Sequence, residues 1–155
     1  ATPLKKVFNR LGLGKLIYLF IALKQLIFIS PGKMTVTLDE ENTFSYDHVY
    51  FTAVMNQKYE GGGFKFCPDA RPDDQILDVI LVEGVSKIKL LFCLPTAFFG
   101  KHVGIKGIHI LTGRNVHVHS ESALPIHIDG ESGGIREDLT VSMEKSSLKI
   151  ILPVV

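Results

Sequence analysis

The residues with chemical potential fall in four places. Asp129-Gly130-Glu131 follows the strand-like Pro125–Ile128 and precedes Ser132-Gly133-Gly134. A carboxylate on a tight turn at a sheet edge can accept a hydroxyl proton; the same residues also make an ordinary hairpin turn. Asp69, Asp73, Asp74 and Asp78 form an acidic stretch. Hard cations such as Mg²⁺ want several oxygens, which a loop can bend together, although the spacing is no EF-hand and a solvated acidic loop has the same composition. Gly61-Gly62-Gly63 could let backbone N–H groups approach a phosphate. It lacks the Lys-Ser/Thr ending of a phosphate loop, and a bend or bulge between strands is the simpler reading. His117 and His119 sit two apart and share a strand face, but two ligands do not make a zinc site and no Cys/His set accompanies them. His109 and His127 read as ordinary strand histidines. No GxSxG is present, so nucleophilic hydrolysis has no support.

Most of the elements that would position these groups have a period of two. Met34, Val36 and Leu38 alternate with Thr35, Thr37 and Asp39, which predicts a half-buried strand and then a hairpin turn over Asp39–Asn42. Further strands are expected at Val49–Met55, Phe64–Cys67, Ile76–Val82, Gly107–Leu111, Asn115–Ser120, Pro125–Ile128, Leu139–Met143 and Ser147–Leu152. Ser86–Phe99 reads as a helix with a capping serine, kinked or cut short by Pro95. Leu16, Leu19, Phe20, Leu23 and Ile27 predict a second helix over 15–28. Lys15, Lys24 and Gln25 interrupt that segment, so it is expected to lie on a core or a bilayer surface rather than to span a membrane. The expectation is one mainly β domain over 1–155, a β-sandwich or distorted barrel with two helices.

Composition narrows the function. Of 155 residues, 46% are hydrophobic and 21% charged, which indicates a globular core. A net charge of +1 argues against nucleic acid as a partner. Cys67 and Cys93 stand in apolar surroundings and are expected to be buried thiols in a reducing cytoplasm.

The ordered set GGGFKFCPDARPDDQILDVILVEG, SKIKLLFCLPTAFFGKHV, LPIHIDGE and VSMEKSSLKIILP resembles the second domain of the bacterial diacylglycerol kinase-like lipid kinases, relatives of sphingosine and ceramide kinases. The resemblance runs from about Lys5 to Pro153. It implies a C-terminal β domain whose N-terminal, GGDGT-bearing nucleotide-binding domain is absent from this chain, and an ATP- and Mg²⁺-dependent transfer to the hydroxyl of diacylglycerol or a related lipid. It further implies that Glu131 is the general base, with Asp129 and Gly130 shaping its turn, and that Asp74, the Ile76 carbonyl and Asp73 hold a structural cation. Gln75 stands where that family usually has glycine, and Arg71 where some members have an acid. Asn56 and Gly61–Gly63 match a loop near the family's cleft, with no role assigned. The implied partners are a lipid substrate, the chain's own N-terminal kinase domain and peripheral contact with the inner membrane face; a homodimer is allowed. The alternatives are a non-catalytic lipid- or membrane-binding β domain, and a distant sugar or nicotinamide-nucleotide kinase.

Overall fold

The computed structural model describes Lys24 and residues 28–60 and 63–144. The helix expected over 15–28, apart from Lys24 and Phe28, and the strand expected over 147–152 lie outside the described residues. Six strands form one antiparallel sheet: β1 (Gly32–Leu38), β2 (Asn42–Met55), β3 (Leu77–Glu83), β4 (Ile108–Gly113), β5 (Asn115–Ile128) and β6 (Glu131–Ser142). Their spatial order is β4-β3-β2-β1-β5-β6. Among the described residues the two outer strands do not meet, so the sheet is open; this is the sandwich-like rather than the barrel form of the expected mainly β domain. One helix, α1 (Lys87–Ala97), lies between β3 and β4.

The alternation in β1 is real: Met34, Val36 and Leu38 are buried while Lys33, Thr35 and Thr37 are not. The turn after it places Asp39 and Glu40 in the left-handed region (φ 54° and 63°), which Asp tolerates better than most residues. The Asp39 carboxylate accepts from the amides of Arg114 and Asn115, both at 2.8 Å, and the Asp39 amide donates to the Asn115 carbonyl. One acidic side chain thus ties the β1–β2 turn to the start of β5.

β2 starts at Asn42 rather than Val49 because it serves two neighbours in succession. Its first half pairs with β1 and its second half with β3, with Val49 at the changeover. The expected run of β-branched residues in β3 is buried on both faces. Leu77, Val79 and Leu81 join Met34, Val36, Leu38, Val49, Val116 and Val118 in one core cluster. Ile80 and Val82 face the other way, into a cluster with Met55, Cys67, Ala70 and Val85. A strand central to two cores reads as a continuous apolar run, not an alternating one.

α1 opens as expected, with Ser86 Oγ accepting from the Lys89 amide at 3.2 Å. Pro95 has no N–H to donate. The helix stops two residues later, and its last turn tightens through Phe98 N–H to Pro95 O and Phe99 N–H to Thr96 O. Leu90, Cys93 and Ala97 lie on its inner side, Leu90 packing on the second cluster and the other two buried. Phe98 stacks on Phe64 with ring centroids 4.2 Å apart. Both cysteines are buried free thiols. Burial, followed by the charge of Asp78, pushes the Cys67 thiol up to about 12.

His102 is 2% exposed. Its Nε2 lies 2.8 Å from the Phe66 carbonyl and therefore carries the proton, while Nδ1 has no partner. Burial holds its pKa below the usual histidine value, against an opposing pull from the Phe66 carbonyl. The native state therefore binds this proton less readily than the unfolded chain. The His102 contribution is fully present above about pH 6.5 and falls as the pH drops below that value. We expect the melting temperature of the protein to fall between about pH 7 and pH 5, and to fall less in His102→Gln; equal pH slopes by differential scanning fluorimetry would contradict this.

Candidate functional site

β1 pairs with β5 only over Val116–Ser120. Past Ser120, β5 has β6 alone for a neighbour among the described residues, so within them 121–138 leave the sheet as a two-stranded ribbon. This explains how Pro125 fits inside a strand: its missing N–H falls where no second described neighbour requires one. It also explains why Asn115–Ser120 and Pro125–Ile128, read separately in the sequence, are one strand whose register shifts between His119 and Leu124. The first half of β6, Glu131–Asp138, was not expected as a strand. Its two glycines and four charged residues carry no apolar alternation, because the ribbon buries almost nothing on either face among the described residues.

Asp129 and Gly130 form the two-residue tip, both at positive φ (49° and 87°), the signature of a type I′ hairpin turn. A Cβ on Gly130 would meet nothing within 4 Å, so the glycine serves backbone conformation rather than space. Ile128 and Glu131 are the closing pair of the ladder. Asp129 and Glu131 are both exposed. Just below, the register shifts between Ile126 and His127, and the Gly134 amide donates to Ser132 Oγ at 3.3 Å. Gly133 lies close against Ile126, whose Cγ2 would sit 3.1 Å from an added Cβ. The tip thus presents two carboxylates on a rigid reversal, away from both core clusters.

The second candidate region is the loop into β3. Asp74 Oδ1 accepts from the Ile76 amide at 3.0 Å, a local turn that fixes the side chain. Gln75 between them is left-handed at φ 60°, the conformation for which glycine is the unstrained residue. Arg71 Nε lies 3.7 Å from Asp73 Oδ1. Asp78, buried at the foot of the loop, has its pKa raised by burial and then by the charges of Asp74 and Asp69. Asp69 and Asp74 thus lie near enough to Asp78 to act on its charge. Among the described residues, no three His, Cys, Asp or Glu side chains form a set able to hold a metal ion; the combination of Asp74, Asp73 and the Ile76 carbonyl has only two such side chains. Gln75→Gly is expected to raise stability by roughly 0.5–1 kcal/mol through relief of the left-handed strain. No gain in the urea midpoint would show that the strain is offset elsewhere.

The remaining candidates take their simpler readings. Glu60 and Phe64, on either side of the glycine run, exchange both backbone hydrogen bonds. His117 Nε2 and His119 Nδ1 both approach Asp138 Oδ1, at 3.1 and 3.0 Å, on the exposed face. The hydrogen bond from His119 comes first among the causes that hold the Asp138 carboxyl below its usual value. Beside His119 runs a shallow groove of about 240 Å³, lined by Lys33, Thr35, Ser45, Asp47 and Glu121 among others. A grouping not expected from sequence is Glu83, His109 and Tyr46, with His109 Nε2 3.2 Å from Glu83 Oε1 and the two rings 5.2 Å apart. It joins three strands far apart in sequence, so no local pattern announces it.

Comparison with known proteins agrees with the architecture. YtlR of Bacillus subtilis (strain 168), by name a lipid kinase, is 30% identical over 132 residues, covering 85% of this chain and 42% of its own length. The diacylglycerol kinase of Mycobacterium tuberculosis (strain H37Rv) is 28% identical over 118 residues, covering 76% and 38%. A crystal structure from Bacillus anthracis str. Sterne, by name a diacylglycerol kinase, superposes with a TM-score of 0.61 at 20% identity, over 81% of this chain and 41% of that one; at that identity it speaks for the fold. The chain spans about two fifths of the length of the curated relatives it matches. Residues 5–152 match the model of the YegS C-terminal NAD kinase beta sandwich-like domain, and the chain belongs to that family.

Proposed function

We propose that this chain is the C-terminal lobe of an ATP-dependent lipid kinase that phosphorylates the hydroxyl of diacylglycerol or a related lipid. The observation that carries the reading is the projecting ribbon with Asp129-Gly130-Glu131 at its tip, exposed among the described residues. A two-stranded ribbon is marginal on its own in water, and a second lobe across a cleft would give it a surface to rest on. There Glu131 accepts the proton of the lipid hydroxyl as its oxygen attacks the γ-phosphorus and ADP departs. Asp129 shapes the turn. Phosphoryl transfer asks mainly for such positioning and for charge neutralisation of the phosphates by Mg²⁺, which we assign to the nucleotide-binding lobe. Conversion of diacylglycerol to phosphatidate by the full-length protein with ATP and Mg²⁺ tests this; the 155-residue chain alone should produce none, and turnover by it would refute the assignment of lobes.

At the β3 loop the reading includes a structural divalent cation on Asp74, Asp73 and the Ile76 carbonyl. What supports it is the negative charge that Asp74 and Asp69 bring near Asp78. Bound at ten times its Kd, such an ion would stabilise the protein by about 1.4 kcal/mol. Mg²⁺ or Ca²⁺ should therefore raise the melting temperature of the parent and not that of Asp74→Asn. An equal response from both would remove the site.

A further inference from the structure

The structure leaves α1 with a second apolar face. Cys93 and Ala97 are buried on its inner side, yet Ile88, Leu91 and Phe92 point outward, with Phe99 just beyond the helix end. At 3.6 residues per turn, positions 88, 91, 92, 95 and 99 fall within one stripe, opposite 90, 93 and 97. Ile88, Phe92 and Phe99 are 70%, 72% and 74% exposed, and Val103 in the following turn adds to the patch. A globular helix usually turns charge, not phenylalanine, toward water.

The charges on the chain segment that carries the stripe are all of one sign. Between Glu83 and Glu121 the chain has no acidic residue, while it carries Lys87, Lys89, Lys101, Lys106 and Arg114. Lys87 and Lys89 flank the stripe on its two sides by helical position, and the Lys89 ammonium donates to the Lys106 carbonyl at 2.8 Å, drawing the segment after α1 against the helix. Lys101 and Lys106 are exposed. Protruding apolar side chains flanked by lysines are the chemistry of an anionic lipid surface, where the rings enter the acyl boundary and the ammonium groups meet phosphates. A symmetric pairing of two copies through this face would instead set the lysines of this segment against one another.

We propose that the outward face of α1 docks on an anionic bilayer and holds the protein at the membrane. The geometry stands alone; its purpose rests on the lipid kinase reading, since it would bring the lobe to a substrate that resides in the bilayer. The test is co-sedimentation of the full-length protein with vesicles of phosphatidylcholine plus phosphatidylglycerol, against vesicles of phosphatidylcholine alone. Loss of even one buried apolar side chain is worth roughly tenfold in affinity. Ile88→Ser/Phe92→Ser/Phe99→Ser should therefore weaken binding at least a hundredfold with an unchanged melting temperature, because all three side chains are already exposed. Lys101→Glu/Lys106→Glu should erase the preference for phosphatidylglycerol. Parent-like binding by the triple variant, or binding indifferent to phosphatidylglycerol, overturns the proposal. So does failure of the parent to bind, as when another part of the protein covers the face. A parent that elutes as a dimer while the triple variant elutes as a monomer with intact vesicle binding assigns the face to a second copy. Activity on a short-chain, monomerically dispersed diacylglycerol separates the two readings. It should survive in the triple variant, and its absence from the parent would sink the kinase reading while the vesicle result still stands.

Discussion

On the lipid kinase reading, Glu131→Gln in the full-length protein should lower kcat by about two orders of magnitude or more while the melting temperature stays within a degree or so of the parent. Glutamine keeps the size and most of the hydrogen-bonding shape of glutamate but cannot take the hydroxyl proton. Stability should be indifferent because the Glu131 side chain is exposed and its structural duty, pairing with Ile128 to close the ladder, is performed by the backbone. Asp129→Asn is the companion variant. Asn also tolerates the left-handed conformation found at this position, so a much smaller loss is expected if Asp129 only shapes the turn. Steady-state kinetics with saturating ATP read both. Near-parent kcat in Glu131→Gln would leave Glu131 a turn residue, and a sharp drop in melting temperature would make it structural.

Gly107→Ala should be strongly destabilising. Gly107 sits at φ 92°, and an added Cβ would lie 2.4 Å from both the Glu83 carbonyl oxygen and Val85 Cγ1. The Gly107 carbonyl also accepts the Glu83 amide at 2.8 Å, so the residue cannot retreat without breaking the join between the end of β3 and the start of β4. Left-handed strain of about 1–2 kcal/mol and an overlap costing about 1–3 kcal/mol together remove roughly 2–5 kcal/mol. That is a large share of the 5–15 kcal/mol typical of a domain. Gly130→Ala is the control: a positive φ of 87° with nothing within 4 Å of the new methyl, so only the conformational part, about 1–2 kcal/mol, should appear. Urea unfolding midpoints of the two variants should differ clearly. Equal losses would mean that the β3–β4 join relaxes at little cost.

Where burial was one-sided or complete, the sequence alone determined the structure. Val36 between two threonines, the apolar Val79–Val82 run, Ser86 ahead of α1 and Pro95 near its end each act through their immediate neighbours, and each is found where its pattern places it. The Asp129-Gly130 reversal was legible for the same reason, since a two-residue turn depends on two backbone conformations and little else. The extent of β6 was not legible, because a ribbon exposed on both faces has no reason to alternate. Nor was the meeting of Asp39 with Arg114 and Asn115, or of Glu83 with His109 and Tyr46. Those contacts span strands brought together only by the order of the sheet, and His102 is buried by partners more than thirty residues away. The helix Ser86–Phe99 shows the limit most plainly. It carries apolar residues on two opposite sides, so the sequence could announce a helix but could not say which side would be left to the solvent; packing against the second core cluster chose Cys93 and Ala97 for the inside and left Ile88, Phe92 and Phe99 outside.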